Sequence, residues 1–174
     1  MIHERLLIFA FALSSLLLGF ALYREIRRRR QEDDSGETLL FPFDLRTFSP
    51  GALDRSIRIA KGTGATLLPA YLAVVPLRVS LESPLPRHAE RAVGLLEEID
   101  LKASRQGVRV DSSIESGRSL RHALSRVIEA RHPTQAIVAA ASGKDKGFLA
   151  DDIAWFLDRV DCGVVVLKPP SVSG

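Results

Sequence analysis

Residues able to do acid–base, nucleophilic or metal chemistry are few in this chain, and they do not converge. There is one cysteine, Cys162, which by itself can make neither an internal bridge nor a zinc site. It stands just before the run Gly163–Leu167 and reads as a packed small hydrophobe. Histidines occur at positions 3, 88, 122 and 132. None pairs with a carboxylate or thiol at ligand spacing, so no metal site is expected. Asp151 and Asp152 open a helical segment, where they suit the positive end of the helix dipole better than paired acid–base work. Ser112, Ser113 and Ser116 lack the glycine-flanked elbow of a hydrolase nucleophile. Ser142-Gly143-Lys144 has the look of a phosphate loop but lacks the upstream glycine that a Walker loop requires. Asp44, at the end of an apolar run, is the remaining candidate. No catalytic constellation follows, and the sequence reads as a binding module rather than an enzyme.

These residues are positioned by alternating apolar runs and amphipathic segments. Thr38–Phe43 (TLLFPF) has strand length. Ser49 followed by Pro50 is a helix start, with Leu53, Ile57 and Ala60 as its inward stripe and Gly62 and Gly64 as its end. Ala65–Val75 is a second strand, weakened by Pro69, and Pro76–Pro86 a proline-rich loop. His88–Arg105 is a helix closed by Gly107. Val108–Ile114 alternates as a strand with Val108, Val110, Ser112 and Ile114 on its drier face. Ser119–Arg131 is a helix stopped by Pro133, Ala136–Ala141 a strand, Phe148–Val160 a helix, and Gly163–Leu167 the last strand. Such alternation predicts an α/β domain with a parallel sheet covered on both faces, that is, doubly wound.

Ahead of this domain lies a different kind of segment. Leu6–Tyr23 holds eighteen residues without a formal charge, enough for a helix of about 27 Å, close to the hydrocarbon thickness of a bilayer. It runs directly into Arg24 and Arg27–Arg30 rather than a small-residue cleavage site, which favours an uncleaved single-pass anchor over a signal peptide. Positive charge on the far side places the following domain in the cytoplasm. The expected organisation is therefore an anchor over 1–30, a linker over 31–37 and an α/β domain over 38–170, at the cell membrane. Across all 174 residues the apolar share is 46%, the charged share 26% and the net charge +3. That composition suits a globular core and gives no global field for nucleic acid.

Four marks along Thr38–Pro170 resemble the universal stress protein family. They are a first strand ending Phe41-Pro42-Phe43-Asp44, a second running into Val74-Val75-Pro76, the Gly107-Val108 turn, and the ending Asp161–Leu167. The resemblance implies a five-stranded parallel sheet preceded here by the transmembrane helix, and dimerisation through the last strand, Gly163 to Leu167. It also implies an adenine-nucleotide pocket at positions matching Pro42, Asp44, Leu67, Ala140, Gly143 and Lys144, with Asp44 meeting the adenine. The bland alternative for Asp44 is a strand-end carboxylate capping nearby amides. The family's ATP-binding branch carries glycine, two residues, glycine, nine residues, glycine and then serine or threonine. Here Ala140 takes the first glycine position and Gly143 the second. The closing pair falls nearest Ala150 and Asp151, an acid that repels phosphate. The expected function is a membrane-tethered regulatory or binding module with a degenerate ATP loop. The alternatives are an ATP- or AMP-binding sensor, or an accessory domain working with a membrane transporter.

Overall fold

The computed structural model describes residues 36–81, 86–141 and 146–168, the side chains of 86–90 excepted. The expected membrane helix over Leu6–Tyr23, its arginine flank and most of the linker lie outside the described residues. Among the described residues no helix is long and apolar enough to cross a membrane. The chain divides into two compact units after Gly36, and the second, Glu37–Gly174, holds every described element.

Strands β1 (Thr38–Phe43), β2 (Thr66–Val74), β3 (Ser113–Gly117), β4 (Gln135–Ala139) and β5 (Gly163–Leu167) alternate with helices α1 (Pro50–Thr63), α2 (Pro86–Ser104), α3 (Leu120–Arg131) and α4 (Ala150–Arg159). All four strand pairings are parallel and the spatial order is β3-β2-β1-β4-β5. Strand residues alternate between two apolar layers, as the period of a strand requires. Leu39, Phe41, Phe43, Leu67, Tyr71 and Ile137 face the layer built with α1 and α2. Leu40, Leu68, Leu72, Ala136 and Val138 face the layer built with α3 and α4. The central strands are thus apolar throughout because both their faces are covered. The doubly wound parallel sheet expected from sequence is observed.

Helix boundaries follow local chemistry. Ser49 Oγ accepts from Ala52 N–H at the start of α1, and Ser119 Oγ accepts from His122 N–H at the start of α3. His122 adds a second bond there, its Nδ1 accepting from Arg118 N–H at 3.1 Å. At the other end of α3, His132 adopts the left-handed conformation that stops the helix ahead of Pro133.

The third strand departs from expectation, and Pro69 explains how. Leu67 turns both its N–H and its C=O toward the third strand, bonding Arg109 C=O and Asp111 N–H. Bonding sides alternate along a strand, so Pro69 turns the same way but has no N–H to give. Val110 pairs with Leu67 as an isolated bridge and regular pairing resumes at Ser113 opposite Ala70, with the register unchanged. The strand expected over Val108–Ile114 is therefore split by one missing donor and continues to Gly117. Ile114, expected on the drier face, is 40% exposed at this sheet edge.

Two glycines are fixed by close approach. A Cβ on Gly117 would lie 2.3 Å from Ala123 N, and one on Gly147 would lie 2.5 Å from Ala141 N. Gly117→Ala should destabilise the domain by about 1–3 kcal/mol through overpacking. Phe156→Ala, which empties a fully buried site between Phe148 and the sheet, should cost roughly 3–5 kcal/mol. Urea unfolding midpoints at unchanged m-value check both; a wild-type midpoint for Gly117→Ala would mean that β3 and α3 are not in contact there.

Candidate functional site

Strand order reverses between β1 and β4, since β2 and β3 extend one way and β5 the other. In open parallel sheets such a reversal leaves a crevice beyond the carboxyl ends of the strands. Here Pro42 marks where the β1–β4 ladder ends. The pairing of β1 with β4 stops at Leu40 opposite Ala136, although β1 continues to Phe43 and β4 to Ala139. Continuing the ladder would need an N–H from residue 42 to Ile137 C=O, and proline has none. Beyond that point the open edge of β4 bonds to its own following loop. Ala139 C=O accepts from Phe148 N–H at 2.7 Å, and Ala141 N–H donates to Phe148 C=O at 2.9 Å. The absence of a side chain on Gly147 lets the loop come back this close.

Asp44 stands on the rim of β1 and is 8% exposed. Its Oδ1 accepts from Arg46 N–H at 2.9 Å, Thr47 N–H at 2.7 Å and Thr47 Oγ1 at 2.9 Å. In return, Asp44 N–H donates to Thr47 Oγ1 at 2.7 Å. One carboxylate oxygen is thus consumed in tying the turn that leads to α1, the capping role weighed from sequence. Among the described residues Oδ2 meets only Arg46 Nε, at 3.4 Å, and that arginine side chain is 81% exposed. Below the turn, Phe43 packs against Phe48 and Tyr71 with ring centroids 5.4 and 5.7 Å apart. Burial, reinforced by the Asp44 charge and opposed by Arg91, raises the Tyr71 phenol above its ordinary value.

The structure gathers only some of the residues singled out by sequence. Pro42 and Asp44 share the rim of β1. Ala140 follows β4, donating its N–H to Leu167 C=O and bridging Phe148. Leu67 is not brought to the crevice. It sits opposite Leu39 near the amino end of β2, fully buried, while the residue beside Phe43 at the carboxyl end is Tyr71. Gly143 and Lys144 lie outside the described residues. Ala150 and Asp151 fall in the first turn of α4, as does Asp152, whose carboxylate binds Arg121 Nε at 2.9 Å. Arg121 also bonds Asp151 C=O at 3.1 Å and lies 5.9 Å from the centroid of the Trp155 ring. Arg121 therefore braces α4 against α3 through the Asp152 carboxylate and the Asp151 carbonyl.

Thr47 and Tyr71 were missed from sequence. Thr47 had a signal, an acceptor hydroxyl three residues after an aspartate. Tyr71 had none, since its place beside Phe43 depends on register. Arg118 was also missed: its Nη1 donates to Pro76 C=O at 2.6 Å and Val79 C=O at 2.7 Å, holding the loop after β2. Cys162 is half-buried, and burial followed by the Asp161 charge pushes its thiol up, away from thiolate reactivity. Among the described residues no three metal-ligating side chains gather.

No family model matches the sequence, and no curated protein sequence does either. Solved structures do match in fold. Universal stress protein UspA from Lactobacillus plantarum superposes with a TM-score of 0.60 at 14% identity, over 75% of this chain and 97% of that one. A universal stress protein family member from Arabidopsis thaliana with AMP bound gives 0.53 at 14%, over 76% and 91%. A universal stress protein in complex with cAMP gives 0.55 at 17%, over 76% and 97%. The chain has the five-stranded parallel α/β fold of the universal stress proteins.

Two measurements probe the rim. Asp44→Ala removes the three bonds accepted by Oδ1 and the longer one accepted by Oδ2 and should cost about 1–3 kcal/mol, whereas Asp44→Asn, which keeps an acceptor for the turn, should cost less. Equal losses would mean that Oδ1 does not tie the turn. Tyr71 titrates above its unfolded value, so as pH rises past about 10 the unfolded chain loses that proton first. Stability should therefore fall with rising pH in that range. Tyr71→Phe should flatten this slope and Asp44→Asn should reduce it; a slope unchanged in Tyr71→Phe would assign it elsewhere.

Proposed function

We propose that this chain is a non-catalytic regulatory module that takes an adenine nucleotide with one phosphate at the β1–β4 seam and reports it from the membrane. The observation that carries the reading is the seam itself: Pro42 ends the β1–β4 ladder at the point where strand order reverses. On its rim, Asp44 Oδ2 has among the described residues only an exposed arginine as partner and can accept from an exocyclic amine such as that of adenine. Fold relatives carrying AMP and cAMP support the ligand class. Sequence speaks against a triphosphate, because alanine replaces the first loop glycine and an acid stands near the closing pair. This favours a monophosphate over the ATP-sensor reading.

Two further parts of the reading concern assembly. The uncharged run Leu6–Tyr23 with its arginine flank supports a single-pass tether with the domain in the cytoplasm. Among the described residues strand β5 has a free edge, and Val166 on it is 39% exposed, which supports a homodimer through Gly163–Leu167. A membrane protein such as a transporter is the alternative partner at the tether.

Equilibrium titration of the full-length protein with AMP, cAMP and ATP tests the ligand. Saturable micromolar binding of AMP, with ATP no tighter, is expected. No saturation by any of the three at millimolar concentration would retire the nucleotide reading, and much tighter ATP would restore the sensor. For the tether, the protein should stay in the membrane pellet through an alkaline carbonate wash; release into the supernatant would contradict it.

A further inference from the structure

A second concavity, of about 310 Å³, opens between the start of α1 and the carboxyl ends of β4 and β5. Arg55 and Arg58 reach it from α1 and Lys168 from the residue after β5, with Gly51 and Ala139 completing its walls. No acid lines it. The arginines stand three residues apart, on one face of the helix. Among the described residues none of the three cations enters an ion pair, whereas Arg46, Lys102, Arg121, Arg131 and Arg159 each have a carboxylate. The acid next to Arg55, Asp54, is taken by Lys102 of α2.

Three like charges gathered around one hollow without a counter-charge repel one another and focus a positive potential into it. An anion entering the hollow relieves that repulsion. Guanidinium forks match the geometry of phosphoryl oxygens, and an ammonium group adds a point charge that rotates to suit. We propose that this hollow binds a phosphorylated small anion carrying at least two negative charges, held by Arg55, Arg58 and Lys168. The volume admits a diphosphate-sized group, and a monoanionic carboxylate would leave most of the charge unanswered. Neither Pro42 nor Asp44 lines this site, so it stands whether or not the seam takes a nucleotide.

The test is calorimetric titration of the full-length protein with pyrophosphate at fixed ionic strength. Saturable binding is expected, and R55E and R58E should each weaken it roughly tenfold or more, with K168E acting in the same direction. These positions are exposed, and without ligand the variants should melt no lower than wild type because the repulsion is relieved. Binding that survives R55E and R58E unchanged belongs to the separate arginine run ending at Arg30 and overturns the proposal. So does failure to saturate at millimolar pyrophosphate. AMP titrated against the same variants identifies the source of the phosphoryl group. An affinity that falls alongside that of pyrophosphate assigns the hollow to the nucleotide's phosphate, and an unchanged one assigns it to a separate phosphorylated ligand.

Discussion

Two backbone amides that cannot donate shape this sheet. A parallel ladder needs an N–H from every second residue on each side, and β1 and β2 each place a proline where a donor should stand. Their consequences differ because their neighbours differ. Pro69 faces β3, a sheet-edge strand that resumes pairing one residue later in the same register. Pro42 faces β4 at the reversal of strand order, and pairing does not resume. The free stretch of β4 instead accepts the backbone of Phe148, while Asp44 and Thr47 fold the other rim into a tight turn. Proline is normally confined to strand edges. In β1 and β2 it sits at the sheet centre because the sacrificed bond falls where the chain can do without it.

Charge is arranged in keeping with this frame. At the start of α4 two acids complement the helix dipole and one of them, Asp152, is held by Arg121, so that helix end is already answered. Along α1 the side chains that line the hollow include Arg55 and Arg58, and among the described residues no carboxylate faces them there. The positive ends of two helices on opposite faces of one sheet are therefore in opposite electrostatic conditions. Any anion drawn to the carboxyl end of the sheet meets a compensated surface on one side of β4 and an uncompensated one on the other.

Much of the fold was legible in sequence because both faces of the central strands are buried. Runs such as Thr38–Phe43 and Ala136–Ala139 read as strands without needing alternation, and Ser49-Pro50 marks a helix start through capping chemistry alone. The candidate site was legible only in part. Asp44 and Pro42 could be placed by their position at a strand end. The consequence of Pro42 could not, since it depends on which neighbouring strand its nitrogen faces, and that requires the strand order. Leu67 was misplaced for the same reason: register sets Tyr71, not Leu67, beside Phe43. Arg55, Arg58 and Lys168 come from segments more than a hundred residues apart, and only the folded chain brings them to one hollow.

Amide chemical-shift mapping of the full-length protein with AMP locates directly where a ligand enters the sheet. Expected are shifts concentrated at Phe43–Phe48 and Ala139–Ala141, the two rims of the seam parted at Pro42. Shifts confined to the opposite end of the sheet, around His132 and Cys162, or no shifts at saturating AMP, would contradict entry at the seam.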